Sequence, residues 1–263
     1  MNFHRVSGLL LRYVFLYSRT PFRMLDLTFW PLMDLLVWGF MTMYMMRIQT
    51  KVAPFLSFLI GAIIFWNILY RAQQAVTVSF LEDIWSQNLL NVFVAPVRLT
   101  EFIAATYIMG FVQSMIVVVL MSLTALFAYH YNVAMLPLSL GVLSVNLLLL
   151  GWTLGMMTTA LIIRWGHSAE ALAWAVPFLI QPISAVFYPV SIFPSWLQPI
   201  SLALPSTYVF EGMRQVLHGS PLTATQIVIP FALNALYMFM AGLVFNRMYN
   251  IARDKGLLAK VAS

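Results

Sequence analysis

The chain has 263 residues, 62% hydrophobic and 8% charged. A soluble domain carries about 45–50% apolar and about 25% charged residues, so this chain has too few charges to cover a water-facing surface. It contains no cysteine, which excludes disulfides, a thiolate nucleophile and a thiolate metal site. Its formal charge of +6 comes from basic residues scattered between apolar stretches, which make no continuous phosphate-binding face and give no support to a nucleic-acid partner.

Residues 102–163 hold no Asp, Glu, Lys or Arg, and neither do 52–70, 171–210 or 215–246. Crossing the roughly 30 Å hydrocarbon core takes about 20 apolar residues. The longest gap therefore predicts two spans and a turn, and each of the others at least one. Leu, Met and Phe run on without the dyad alternation of an outer-membrane barrel. The expected fold is an all-α polytopic membrane protein with six transmembrane helices, at 25–46, 53–75, 102–129, 137–163, 171–190 and 226–248.

At the N-terminus, residues 1–23 read as an amphipathic helix in the membrane interface. Arg5, Arg12, Arg19 and Arg23 fall within an arc of about 40° at 100° per residue, opposite Phe3, Val6, Leu10, Tyr13, Val14 and Tyr17. That pattern predicts arginines turned toward lipid phosphates. Arg12 and Arg19 interrupt any signal-peptide core, and no cleavage pattern follows. Thr20-Pro21 ends the helix.

The first span carries Asp34 after Trp30-Pro31. An acid at that depth is costly and is a functional candidate. It fits a proton or substrate site, a structural pair or a pore rim, and no intramembrane Lys or Arg is in view to balance it. Asn67, Gln113, Asn146, Gln181 and Asn234 are expected to be interhelical hydrogen-bond glue. Gly151-x-x-x-Gly155 allows two helices to approach closely.

The connection after the second span is longer than a turn needs. In 78–96, Leu81, Ile84, Trp85, Leu89, Val92 and Phe93 recur at helical spacing, with Glu82, Asp83, Gln87, Asn88 and Asn91 between them. This predicts a short amphipathic helix with Glu82 and Asp83 at its N-terminus and Ala95-Pro96 at its end. Such a helix, held along the membrane, offers a polar surface to a soluble partner.

The connection at 190–222 contains Pro194, Pro199 and Pro205, which rule out one continuous spanning helix. It is nevertheless too apolar for a solvated loop, and broken backbone at membrane depth must be buried in protein or line a cavity. A pair of short re-entrant helices satisfies both demands. Ser206-Thr207 is expected to cap the second, on which Glu211 and Arg214 stand three apart and can pair.

Counting Lys and Arg in short loops sets the orientation. With both termini cytoplasmic, Arg5, Arg12, Arg19, Arg23, Arg71, Arg98, Arg164, Arg247, Arg253, Lys255 and Lys260 lie inside, against Arg47, Lys51 and Arg214 outside. No catalytic set accompanies this layout. His4, His130, His167 and His218 have no metal-ligand spacing, and Gly166–Glu170 reads as a cytoplasmic turn. No Gly-x-x-x-x-Gly-Lys occurs, so no ATP-phosphate loop is expected in this chain.

Two stretches carry a resemblance. LLNVFVAPVRLTE, residues 89–101, resembles the first cytoplasmic loop of type-2 ABC export permeases. FPSWLQPISLALPSTYVFEGMRQVLHG, within 188–219, is similar to that family's second diagnostic stretch, matching it at Pro194, Trp196, Gln198, Pro205, Tyr208, Glu211, Arg214 and Gly219. Leu204 stands where many members have Asn. The nearest likeness is to permeases exporting nodulation factors, daunorubicin-type drugs, and polysaccharides or lipid-linked glycans.

The resemblance implies one type-2 ABC transmembrane domain over 1–263 in a bacterial inner membrane, dimerising with a second permease copy, identical or similar. Two separately encoded ATPase subunits would bind ATP and Mg, leaving this chain with no cofactor and no enzyme activity of its own. The 78–96 helix would be the coupling helix, with Glu82, Asp83, Gln87, Asn88 and Arg98 as the ATPase contact. Trp196, Pro205, Tyr208, Glu211 and Arg214 would belong to the re-entrant element. Asp34, Trp30, Trp38, Phe187 and Tyr188 are candidates for an amphiphile pathway. The alternative is a proton-coupled secondary transporter using Asp34, which predicts internal repeats; none is evident between 1–130 and 131–263. An intramembrane enzyme or a scaffold is the third reading.

Overall fold

A computed structural model describes residues 2–48, 53–86, 98–133, 137 and 139–254. The long helices are α1 (Phe3–Ser18), α2 (Pro21–Ile48), α3 (Ala53–Trp85), α4 (Leu99–Tyr129), α5 (Ser139–Trp165) and α9 (Ala224–Asp254). Between α5 and α9 lie the short α6 (Leu172–Ile180), α7 (Gln198–Leu202) and α8 (Pro205–Leu217), joined by 3-10 turns. Among the described residues, four helices are long and apolar enough to cross a membrane: α2 over Pro21–Met45, α4, α5 and α9.

Helix α3 is the axle of the bundle. It packs on α2, α4, α5, α6 and α8, while α9 packs on α5 and α8, and α1 lies across the start of α4. From Phe58 to Ile84 nearly every α3 side chain is buried, and its middle carries Asn67, Arg71, Gln73 and Gln74. Those polar groups make it less lipid-like than its neighbours, and the surrounding helices take them out of lipid contact. The Gly151/Gly155 pair is where α5 meets α3. A Cβ at Gly151 would stand 2.5 Å from the Leu69 carbonyl and 2.7 Å from the Ala72 Cβ; one at Gly155 would stand 2.8 Å from the Gln73 carbonyl. The absent side chains let the backbones touch.

Three boundaries differ from the sequence reading. Helix α3 does not end near 75 but continues to Trp85, so Glu82 and Asp83 close a helix rather than open one. Residues 87–97, which hold Gln87, Asn88 and the remainder of the expected coupling helix, lie outside the described residues. The segment 171–190 is not one helix either. Helix α6 has nine residues, about 14 Å of rise and roughly half the hydrocarbon thickness. Pro177 interrupts its bonding, Pro182 starts a separate turn and Ala185 sits at φ 55°. Two short helices, α7 and α8, stand in the segment expected to be re-entrant, with Pro205 as the first residue of α8 and Leu204 as its N-cap. The hydroxyls of Ser206 and Thr207 bond elsewhere, to Ser184 and Ser201.

Replacing Gly151 by Val should therefore lower stability by about 1–3 kcal/mol through overpacking against α3. Gly141→Ala in the same helix meets nothing within 4 Å and should be neutral or gain up to about 1 kcal/mol of helix propensity. Thermal unfolding of the two variants in detergent, followed by tryptophan fluorescence, checks the contrast.

Candidate functional site

A cavity of about 610 Å³ opens between α2, α3 and α6. Its inner wall is one stripe of α3, where Trp66, Asn67, Tyr70, Arg71 and Gln74 recur at helical spacing. Asp26, Trp30, Asp34 and Trp38 face it from α2, and Trp174, Phe178, Gln181 and Phe187 from α6 and the turn beyond. At one end Phe187 stacks on Trp38, centroids 5.0 Å apart and planes 18° apart. Asp26, Trp30, Asp34, Trp174 and Phe178 are exposed at the mouth, whereas Trp66, Asn67, Arg71 and Gln74 are buried at the back.

Four of the five expected pathway residues, Asp34, Trp30, Trp38 and Phe187, thus meet in one cavity. Tyr188 does not line it; its hydroxyl donates to the Pro182 carbonyl at 2.8 Å and its ring packs edge-on against Phe193. Arg71, which the sequence reading counts as a loop charge, shares the cavity with Asp34, so a basic group at this depth does exist. The missed signal is the period of the α3 polar residues, 67, 70–71 and 74, which marks one helix face.

The wall formed by α6 is attached by a latch that its proline creates. Pro177 has no N–H, so the carbonyl of Ala173 lacks the donor four residues on. The side-chain amides of Gln73 and Gln74 donate to that carbonyl at 3.1 and 2.7 Å. Gln73 also donates to the Thr77 hydroxyl at 3.2 Å, and Thr77 to the Gly155 carbonyl at 3.4 Å. One freed backbone acceptor is how α3 holds the broken helix. Replacing both glutamines by Leu should cost about 1–3 kcal/mol by leaving the carbonyl unsatisfied. Adding Pro177→Ala should recover most of that, because the helix then supplies its own donor. A thermal-unfolding cycle over the three variants measures the coupling.

A second polar cluster closes the opposite end of α3. Asp83 pairs with Arg12, Glu82 with Arg23 at 3.0 Å, and Glu101 with Arg5 at 3.7 Å. Glu101 also accepts the backbone N–H groups of Asn2 at 2.7 Å and Arg98 at 2.9 Å. All three acids are buried, with Asp83 wholly inaccessible. Three of the four N-terminal arginines thus turn into the protein instead of toward lipid phosphates; burying Val6, Leu9 and Tyr13 against α3 and α4 aims them there. Arg19 stays exposed over the Phe15 ring. Glu82 and Asp83, expected on a polar face, join α3 to α1 and α2. Arg98 is exposed at the start of α4, and the Trp85 indole N–H donates to Glu170 at 3.1 Å, tying the end of α3 to the α5–α6 turn.

These acids sit in opposite electrostatic states. The two backbone N–H groups, Arg98's first, hold the Glu101 carboxyl below its ordinary range. Burial pushes Glu82 up to about 7 against the opposing pull of Arg23. A carboxyl raised in the folded state keeps a proton there that the unfolded chain has lost, so its contribution is complete below about 4.5 and is lost as pH rises through about 7. The melting temperature of the native chain should accordingly fall relative to that of Glu82→Gln between about pH 5 and about pH 7.5. Calorimetry of the two at matched pH checks the slope.

At the far end, Arg214 organises the broken segment. Its guanidinium donates to the carbonyls of Ala185, Val186 at 3.3 Å and Tyr188 at 2.9 Å, pairs with Glu211 at 3.2 Å and lies 4.4 Å from the Phe58 ring centre. Glu211 accepts the Val190 N–H at 2.8 Å. The expected Glu211–Arg214 pair is present, and its larger effect is to supply donors to backbone that α6 no longer satisfies. Pro205 is buried, Tyr208 half-buried, and Trp196 points outward, 69% exposed.

A family model described as ABC-2 type transporter matches residues 9–218, from within α1 to the end of α8 and about four-fifths of the chain. The chain belongs to the ABC-2 type transporter family. It is the membrane domain of an ABC transporter, a multi-pass permease, and this family works with ABC ATPase partners. No curated protein matches the permease.

Proposed function

We propose that the permease is the membrane subunit of an ATP-driven exporter, moving an amphipathic substrate of glycan or lipid type out across a bacterial inner membrane. The observation that carries this reading is the aromatic and amide-lined cavity between α2, α3 and α6 in a chain of this family. Flat indole faces suit a sugar ring or an apolar tail, and Asn67, Gln74 and Gln181 supply directed hydrogen bonds. Energy comes from two copies of a separate ATPase holding ATP and Mg, and a second permease copy, identical or similar, completes the pore. Six crossings with both termini cytoplasmic agree with the basic-residue bias, the fifth made by α6 and the broken backbone after it instead of by one helix. Exposed Asp34 and Trp30 at the cavity mouth are better suited to a water-filled pore or a second copy than to lipid.

The coupling element in this reading is the connection from Ser86 to Arg98. Its described flanks are anchored: Asp83 to Arg12, Glu82 to Arg23, Trp85 to Glu170 and Glu101 to Arg5. ATPase closure pressing on the connection moves α1, α2 and the α5–α6 turn with α3. Gln87, Asn88 and Arg98 are then the ATPase contact, and Glu82 and Asp83 transmit the push from within. Replacing Gln87, Asn88 and Arg98 by Ala should abolish substrate-stimulated ATP hydrolysis by the reconstituted complex while membrane insertion persists. Unchanged stimulation in the triple variant would overturn the coupling assignment.

A further inference from the structure

We propose that Arg71 is the anion-recognition residue of this cavity, and that the carried molecule is an amphiphile whose polar head bears a phosphate or a carboxylate. This rests on the permease reading above and deepens it. Arg71 is 5% exposed and lies in the cavity wall, with Asn67 one turn before it and Gln74 one turn after. Arg5, Arg12, Arg23 and Arg214 are less buried, and each meets a carboxylate. Arg71 forms no ion pair with any described residue. One terminal nitrogen reaches the Asp26 carbonyl at 3.4 Å, the guanidinium lies 5.3 Å from the Tyr70 ring centre, and its Nε is buried without a hydrogen bond.

A buried guanidinium left in that state is costly, and an oxyanion with two oxygens to offer, a phosphate or a carboxylate, is the ligand that satisfies it, through the two-pronged geometry Arg presents. The carboxylates nearby do not fill the role. The Asp26 carboxylate acts on Arg71 only through space, and both Asp26 and Asp34 are exposed on α2 at the mouth. The cavity is therefore positive at the back and negative at the rim. A cationic head would be repelled from the back, whereas an anionic head there gains Arg71, Asn67 and Gln74 together. Trp30, Trp38, Trp66 and Trp174 remain for the tail or first sugar, in a volume of about 610 Å³ that falls within the range of drug-sized ligand sites.

The test uses the full permease, co-purified with its ATPase in phosphatidylcholine nanodiscs. Tryptophan fluorescence is titrated with dodecyl phosphate, dodecyltrimethylammonium, dodecyl maltoside and inorganic phosphate. Dodecyl phosphate should bind saturably, about tenfold or more tighter than the cationic and neutral amphiphiles, and Arg71→Gln should weaken it by a similar factor. Equal binding of the three head groups, or a folded Arg71→Gln that binds dodecyl phosphate like the native chain, would overturn the proposal. Inorganic phosphate competing as well as dodecyl phosphate would also overturn it, because the site would then serve a free anion. Head-group selectivity is read on the native chain, so it decides the matter even where Arg71→Gln fails to fold. Failure of the ATPase to co-purify would count against the permease reading instead, leaving the selectivity measurable.

Discussion

Inside a bilayer every polar group must find its partner within the protein, and α3 concentrates that demand. Asn67, Arg71, Gln73, Gln74, Thr77, Glu82 and Asp83 all lie on this one helix and are all buried. The other helices are arranged to answer it. Helix α5 comes into backbone contact through two glycines, α6 offers a carbonyl, and α1 and α2 offer arginines. A helix so loaded could not face lipid on any side, so its central place in the bundle follows from its composition.

The two ends of the bundle use the same chemistry in opposite ways. On one side, guanidinium groups from α1 and α2 meet carboxylates on α3 and α4, joining separate helices into one unit. On the other, the Arg214 guanidinium meets carbonyls that a broken helix has left without donors, and Glu211 holds it there while taking a backbone N–H of the same segment. Buried pairs of this kind add little net stability compared with apolar packing. Their effect is on geometry, because each leaves a costly orphan charge if the elements slide apart.

Much of this was legible in the sequence, and what was not has physical causes. The charge-free gaps marked α4, α5 and the start of α9 to within a few residues, since apolar length is a one-dimensional property. The proline-rich segment at 190–222 was readable as broken backbone, because proline acts locally. The end of α3 was misread for the opposite reason: Glu82 and Asp83 suggest a helix start, and only Arg12 and Arg23, about 70 and 60 residues earlier in the chain, make them tolerable inside a continuing helix. Only Arg5 and Arg12 of the arginine arc lie on α1, since Arg19 caps it and Arg23 belongs to α2, and a wheel does not say whether phosphates or carboxylates lie opposite. Arg71 was hidden by the counting itself. Near the end of a span it reads as a topology charge, and only the third dimension places it in one cavity with Asp34.

The cavity has one fixed wall and one breakable wall, and this asymmetry follows from the prolines. Its α3 stripe is embedded on all sides and cannot move without unpacking the bundle. Its α6 wall is a nine-residue piece, ended by Gln181 and a left-handed Ala185, and joined to α3 by two amide hydrogen bonds onto a single carbonyl. Two neutral hydrogen bonds are a weak attachment, of about 1 kcal/mol each, against the many contacts that hold α5 to α3. Gln74 belongs to both the latch and the cavity lining. A ligand group that accepts from Gln74 competes directly with Ala173 for the same amide, so occupancy of the cavity and release of α6 draw on one donor. On the proposed reading of this cavity, a ligand at its back would thereby draw on the hydrogen bonds that attach α6.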